Sequence, residues 1–220
     1  MRRPARLLLL LLMAAAAPLA GCKMVAALGV LFAPRQWQDP EFKFTEGQLA
    51  ILIDYARPAQ MNPVFDLNLH KQLSDLLRTN KVPSRIVPYD DVTALRQKNS
   101  DFSSWSIQRT GSALKADQVL CIRILDLQAL PNANQAVLAP EATLTLKVIG
   151  VNEPTVHARL WPDRDAEPDG RQVTHHRQPF EPETAELIDR ETAKLARETA
   201  YYVARHFYRY DAEENPPREP

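Results

Sequence analysis

The chain has 220 residues with 27 basic and 27 acidic side chains, 45% hydrophobic residues, 18 prolines and two cysteines, which is one domain's worth of chain. So even a charge argues against nucleic acid as a partner, because phosphate binding needs a concentrated basic surface. Only Cys22 and Cys121 carry thiols; once Cys22 is modified no intramolecular disulfide can form, and stability rests on a packed core.

The first 21 residues hold Arg2, Arg3 and Arg6, no acid, and an unbroken apolar run from Leu7 through Ala17. A charged region followed by such a run is an export signal. Leu19-Ala20-Gly21-Cys22 follows at once and resembles a bacterial lipobox, in which small residues admit the lipoprotein signal peptidase and the cysteine receives diacylglycerol. The expectation is cleavage before Cys22 and lipidation of its thiol. The alternative is an uncleaved helix from Leu7 to Ala33, long enough for a bilayer core of about 30 Å. Pro18, Gly21 and Lys23 interrupt it, and a central lysine costs roughly 2.5–3.5 kcal/mol. Two or more acyl chains hold a protein on a membrane where one binds reversibly, and the resemblance implies more than one. Lys23 is not the aspartate that retains many such lipoproteins on the inner membrane, so the resemblance favours the outer one.

Residues 1–21 are therefore expected as signal peptide, 22–48 as lipid anchor and linker, 49–210 as an α/β domain and 211–220 as a disordered tail, the last because of its prolines and acids. Leu49 to Tyr55 is a short isoleucine-rich run that suits a strand buried on both faces. Phe65, Leu69, Leu73, Leu76 and Leu77 recur at helical spacing. Arg85 to Pro88 suggests a second brief strand. Asp90 or Asp91 is placed to cap a short helix through Gln97, and Ser103 or Ser104 the next one, with Ile107, Gly111 and Leu114 on one face. Gly111 is explained there as letting the helix approach a sheet closely.

Gln118 to Gln128 gives the strongest strand signal, with Leu120, Ile122 and Ile124 to one side and Val119, Cys121 and Leu125 to the other, so both faces read as covered. Ala142 to Ile149 alternates, as a half-buried antiparallel strand does. Thr155 to Trp161 alternates again, with Val156, Ala158 and Leu160 inward, and completes a hairpin with a loop of about five residues. Pro162 to Gln178 reads as a polar loop or the extended tail of that hairpin. Pro182 and its neighbouring acids start a helix that runs to about Phe207, close to 40 Å at about 1.5 Å per residue. It presents Ile188, Leu195, Thr199, Tyr202, Val203 and His206.

Candidate chemistry is sparse. Asp66 and His70 lie four apart on a helix and could share a proton or metal, but two ligands are few and an exposed pair is worth little. The adjacent His175 and His176 point opposite ways on extended backbone. Asp163 to Gly170 offers several carboxylates to a hard cation, yet Pro168 stands where an EF-hand needs glycine and Thr174 where it needs glutamate; a solvated acidic turn is the better reading. Cys121 is central in an apolar strand and reads as a small core residue, with Arg123 beside it on the same face. No nucleophile elbow, phosphate loop, dinucleotide fingerprint or zinc-protease helix is present. Neither catalytic residues, nor a metal site, nor a cofactor is expected, and the chain is read as a non-enzyme.

The order of elements, the Leu114-Lys115-Ala116-Asp117-Gln118-Val119-Leu120 lead into a central strand, and the Trp161 hairpin before a long terminal helix resemble a group of bacterial envelope lipoproteins. That group holds the lipoprotein activator of penicillin-binding proteins, the curli-secretion lipoprotein and the amino-terminal domain of the Tol-system translocation protein. The chain is more similar still to uncharacterised lipoproteins that begin Gly21-Cys22-Lys23-Met24 as here. The resemblance spans about Leu49 to Phe207, rests on hydrophobic patterns, and carries over no binding residue. It implies a mixed sheet of about five strands covered by helices and, together with the anchor and the absence of catalytic motifs, a non-enzymatic module that meets an envelope protein or the cell wall; an exposed patch bearing Trp105 or the terminal-helix tyrosines is the expected contact. Two alternatives stand beside it. One is a subunit of an envelope assembly or secretion complex; the other is a metal-dependent hydrolase built on His70, His175 or the Asp163 loop.

Overall fold

Nine residues from Gly47 to Tyr55 form the first strand, β1, of a computed structural model that describes residues 35–82, 84–131 and 136–213. Cys22 and residues 1–34 and 214–220 lie outside the described residues. Residues 35–37 and 211–213 gather as a small unit of their own, in which the Ala212 N–H donates to the Gln36 carbonyl at 2.8 Å and Arg35 faces Asp211 at 3.9 Å. Everything that follows concerns the other unit.

The sheet is six-stranded and mixed. The strand β2 (Ser84–Ile86) and the strand β3 (Gln118–Gln128) both run parallel to β1 and flank it. The strand β4 (Glu141–Gly150) pairs antiparallel with β3. On its far edge β4 meets two short strands, β6 (Arg171–His176) along residues 141–146 and β5 (Arg159–Trp161) at residues 148 and 149.

One face of this sheet is covered by two helices, α1 (Pro63–Thr79) and α4 (Ala185–Ala204). Leu49, Ile51 and Ile53 of β1, Leu120, Ile122 and Ile124 of β3, and Leu144 and Leu146 of β4 line it, packed against Phe65, Leu69, Leu73, Leu77 and Leu195. Each such side chain contributes roughly 1.5–3 kcal/mol when fully buried. Asn62 caps α1 by accepting from the Val64 and Phe65 N–H groups, and Pro63 takes the first turn, where no amide hydrogen is missed. The helix α4 is capped by Thr184 and has 20 residues, so it spans about 30 Å rather than the 40 Å expected. The core also reaches further back than the Leu49 run: Phe44 is buried in it and stacks on Phe207 at 4.7 Å.

The second face is covered only at one end. There α2 (Tyr89–Lys98) and α3 (Ile107–Ala113) enclose a smaller cluster of Ala50, Leu52, Val87, Val92, Ala116 and Val119. Gly111 makes this closeness possible, since a Cβ there would sit 2.5 Å from Val151 Cγ2 and 2.7 Å from Val119 Cγ2. Both expected caps are displaced. Pro88 precedes α2, with Asp90 and Asp91 inside its first turn, and Ser106 caps α3 because Phe102–Ser104 winds as a separate 3-10 turn.

Two expectations for the far edge also change. Only Arg159–Trp161 of the expected hairpin strand pairs, while Val156 is 76% exposed and Leu160 37% exposed. The segment read as a polar loop or the extended tail of that hairpin contains β6, which pairs with β4 and whose Val173 enters the core. An edge strand needs one buried residue and a ladder of backbone bonds, so its sequence need not look apolar. Among the described residues no helix is long and apolar enough to cross a membrane.

Candidate functional site

Two titratable residues of α1, Asp66 and His70, are turned away from solvent. Asp66 and His70 are both buried, which corrects the expectation of an exposed pair, and they do not share a proton. Asp66 Oδ1 accepts a 2.5 Å hydrogen bond from the Tyr55 hydroxyl on β1. Burial pushes its carboxyl up to about 6, against the pull of that hydrogen bond. His70 lies edge-on to Tyr89, with Ser74 Oγ 3.4 Å from its Nδ1, and burial pushes it down to about 4.

The remaining sequence candidates are held by local partners. His175 on β6 meets Glu198 of α4 at 2.8 Å and packs on Tyr202, and Arg177 meets the other Glu198 oxygen at 2.8 Å. Asp163 accepts from the Asp165 and Ala166 N–H groups, so its loop is an acidic turn stapled by its own carboxylate. His70, His175 and Asp163 are not brought together. Among the described residues no three His, Cys, Asp or Glu side chains cluster where they could hold a metal ion.

What the fold does assemble lies on the open part of the second face. Side chains of period two place Leu52 and Asp54 of β1, Cys121 and Arg123 of β3, and Thr145 and Lys147 of β4 on this side. The register sets them in two rows across the strands: Leu52, Cys121, Lys147, and beside it Asp54, Arg123, Thr145. Sequence alone reads β3 as covered on both faces, yet Arg123 is exposed, because α2 and α3 stop short of it.

The last turn of α2 and the segment before α3 overhang these rows and close a cavity of about 510 Å3. Arg96 donates to the Ile53 carbonyl at 2.7 Å, and its guanidinium lies 5.4 Å from the Phe102 ring centre. Phe102 in turn stacks on Trp105 at 5.6 Å, and Arg109 covers the outer side of Trp105 at 4.0 Å. The Trp105 indole nitrogen is buried with no acceptor among the described residues.

The cavity thus sets the apolar side chains of Leu52, Cys121, Phe102, Trp105 and Ile107 beside charged groups from the same sheet and from α2. Arg96, Arg123 and Lys147 set three positive charges against the single carboxylate of Asp54. Cys121 lies in the base, and burial, reinforced by Asp54, pushes its thiol up to about 11. It is a protonated thiol at neutral pH, consistent with a small packing residue. The signal for this site in the sequence is faint: three charged residues, Asp54, Arg123 and Lys147, in otherwise apolar or alternating strands.

A scan of protein-family models finds no match to this chain, and a search of curated proteins finds none either. Among solved structures it is similar to the PelC dodecamer from Paraburkholderia phytofirmans, at 12% identity and a TM-score of 0.36, covering 80% of this chain and 99% of that one. It is also similar to the lipoprotein GNA1162 from Neisseria meningitidis, at 11% identity and a TM-score of 0.39, covering 71% and 99%. The LpoB C-terminal domain from Salmonella enterica matches at 13% identity and a TM-score of 0.29, covering 62% and 85%. Likenesses this distant decide nothing about activity or partners.

Proposed function

We propose that this chain is an envelope lipoprotein, cut before Cys22 and held at a membrane by lipid on that thiol, whose domain is a non-enzymatic binding module. The observation that carries it is the run Leu7 to Ala17 followed directly by Leu19-Ala20-Gly21-Cys22. A tethered domain works on neighbours within its reach, so its useful feature is a surface that takes a partner. The open sheet face bordered by Trp105 is that surface: aromatic and arginine anchors in a concave, mostly apolar setting are where contacts gain most of their energy. With Lys23 after the cysteine, the outer membrane is the expected location.

The test has two arms. Mass spectrometry of the protein from native membranes should find an amino terminus at residue 22 bearing acyl chains, and an unmodified thiol or an intact Met1 would remove the anchor. Cross-linking in intact cells with a photoreactive residue in place of Ser103, on the border of the open face, should recover a specific envelope partner. Recovery of nothing from that position, but of partners elsewhere on the domain, would move the contact off this face.

A further inference from the structure

We propose that the open sheet face is a binding site for a small organic anion, a carboxylate or phosphate carried on an apolar body. The inference rests on the binding-module reading of this face and adds a small ligand held in the cavity that Ser103 and Trp105 border.

Its basis is a surplus of donors. Arg123 and Lys147 reach the cavity without a hydrogen bond or ion pair among the described residues, although Asp54 sits in register with Arg123. Guanidinium and ammonium groups donate and never accept, so a ligand that completes this site must supply acceptors. Asp54 offsets one of the three positive charges, and a bound anion offsets another. An anion also gains most here, because a guanidinium or ammonium bonds a carboxylate or phosphate more strongly than a neutral group.

The apolar part of the ligand follows from the remaining walls. Leu52, Cys121, Phe102, Trp105 and Ile107 present carbon and sulfur to the same space, and a simple inorganic anion would leave them wet. A volume of about 510 Å3 falls in the range of small-molecule sites, about 300–1,000 Å3. Thr145 from the base and Ser103 and Asn99 from the border add hydroxyl and amide groups, which suits a ligand with polar atoms of its own.

The experiment uses the full lipidated protein in nanodiscs of a zwitterionic lipid, with empty discs as reference. It is titrated by calorimetry with three probes: N-acetyl-leucyl-leucine with a free carboxylate, the same compound as its carboxamide, and hexyl phosphate. At least one anion should bind about tenfold or more tightly than the carboxamide, the worth of one charge-assisted hydrogen bond. Preference for the carboxylate assigns the site to peptide-like acids, and preference for hexyl phosphate to phosphate esters. Arg123→Gln combined with Lys147→Gln should abolish that preference, whereas Arg123→Lys should retain most of it. Arg123 is exposed and Lys147 half-buried, so an unchanged melting temperature verifies the fold of the variants.

The proposal is overturned if neither anion binds, if the carboxamide binds as tightly, or if the double variant keeps the preference. Each of those results leaves the anchor and the cross-linked partner untouched, so failure of the anion site and failure of the module reading are read from different measurements.

Discussion

Asp66 and His70 show how one buried helix turn sets a pH response. The Asp66 carboxyl is held up at about 6 from 3.8, so the fold favours its protonated form. The stability this contributes is complete below about pH 3.8 and is lost as pH rises through about 6. His70 is held down at about 4 from 6.5, so its contribution is complete above about pH 6.5 and is lost as pH falls through about 4. The two oppose one another across the same window. Asp66→Asn removes one of them, and urea unfolding should then show a steeper loss of stability from pH 6.5 to 4 than in the unaltered protein; parallel curves would refute it. Tyr55→Phe takes away the donor to Asp66 and should destabilise the fold by about 1–3 kcal/mol at neutral pH. Neither partnership is legible in sequence order, since Tyr55 and Asp66 belong to different elements and meet only when α1 lies down on β1.

At the scale of elements, the contact between α3 and the sheet depends on an absent side chain. Gly111→Ala would bring a methyl within 2.5 Å of Val151 and 2.7 Å of Val119. It should cost about 1–3 kcal/mol in chemical denaturation although alanine is the better helix former by about 1 kcal/mol. The caps separate in the same way. Asn62→Ala removes two accepted N–H bonds at the start of α1 and should cost about 1 kcal/mol. Asp90→Ala removes no capping bond and should cost less, about 0.3–1 kcal/mol through the helix dipole; equal losses for the two variants would contradict the cap assignment. The long helices and inner strands were legible because burial on a defined face forces a period. The edge elements were not: β6 buries little beyond Val173, and the run from Thr155 alternates in sequence but leaves Val156 in solvent.

At the scale of the whole molecule, the proposed anchor makes Cys22 the residue to test. In the lipobox scheme acylation precedes cleavage, so Cys22→Ala protein should take up no acyl label and keep residues 1–21; intact mass and metabolic labelling read both at once. A cleaved, unlabelled product would mean that another peptidase removes the signal. The sequence by itself determined the central strands and the two covering helices, because each depends on neighbours along the chain through a helical or two-residue period. Only the tertiary structure decided which part of the second sheet face stays open. That depends on where α2 and α3 come to rest and on a register that sets Asp54, Arg123 and Thr145 side by side, and pairing between distant strands leaves no periodic trace in any one of them.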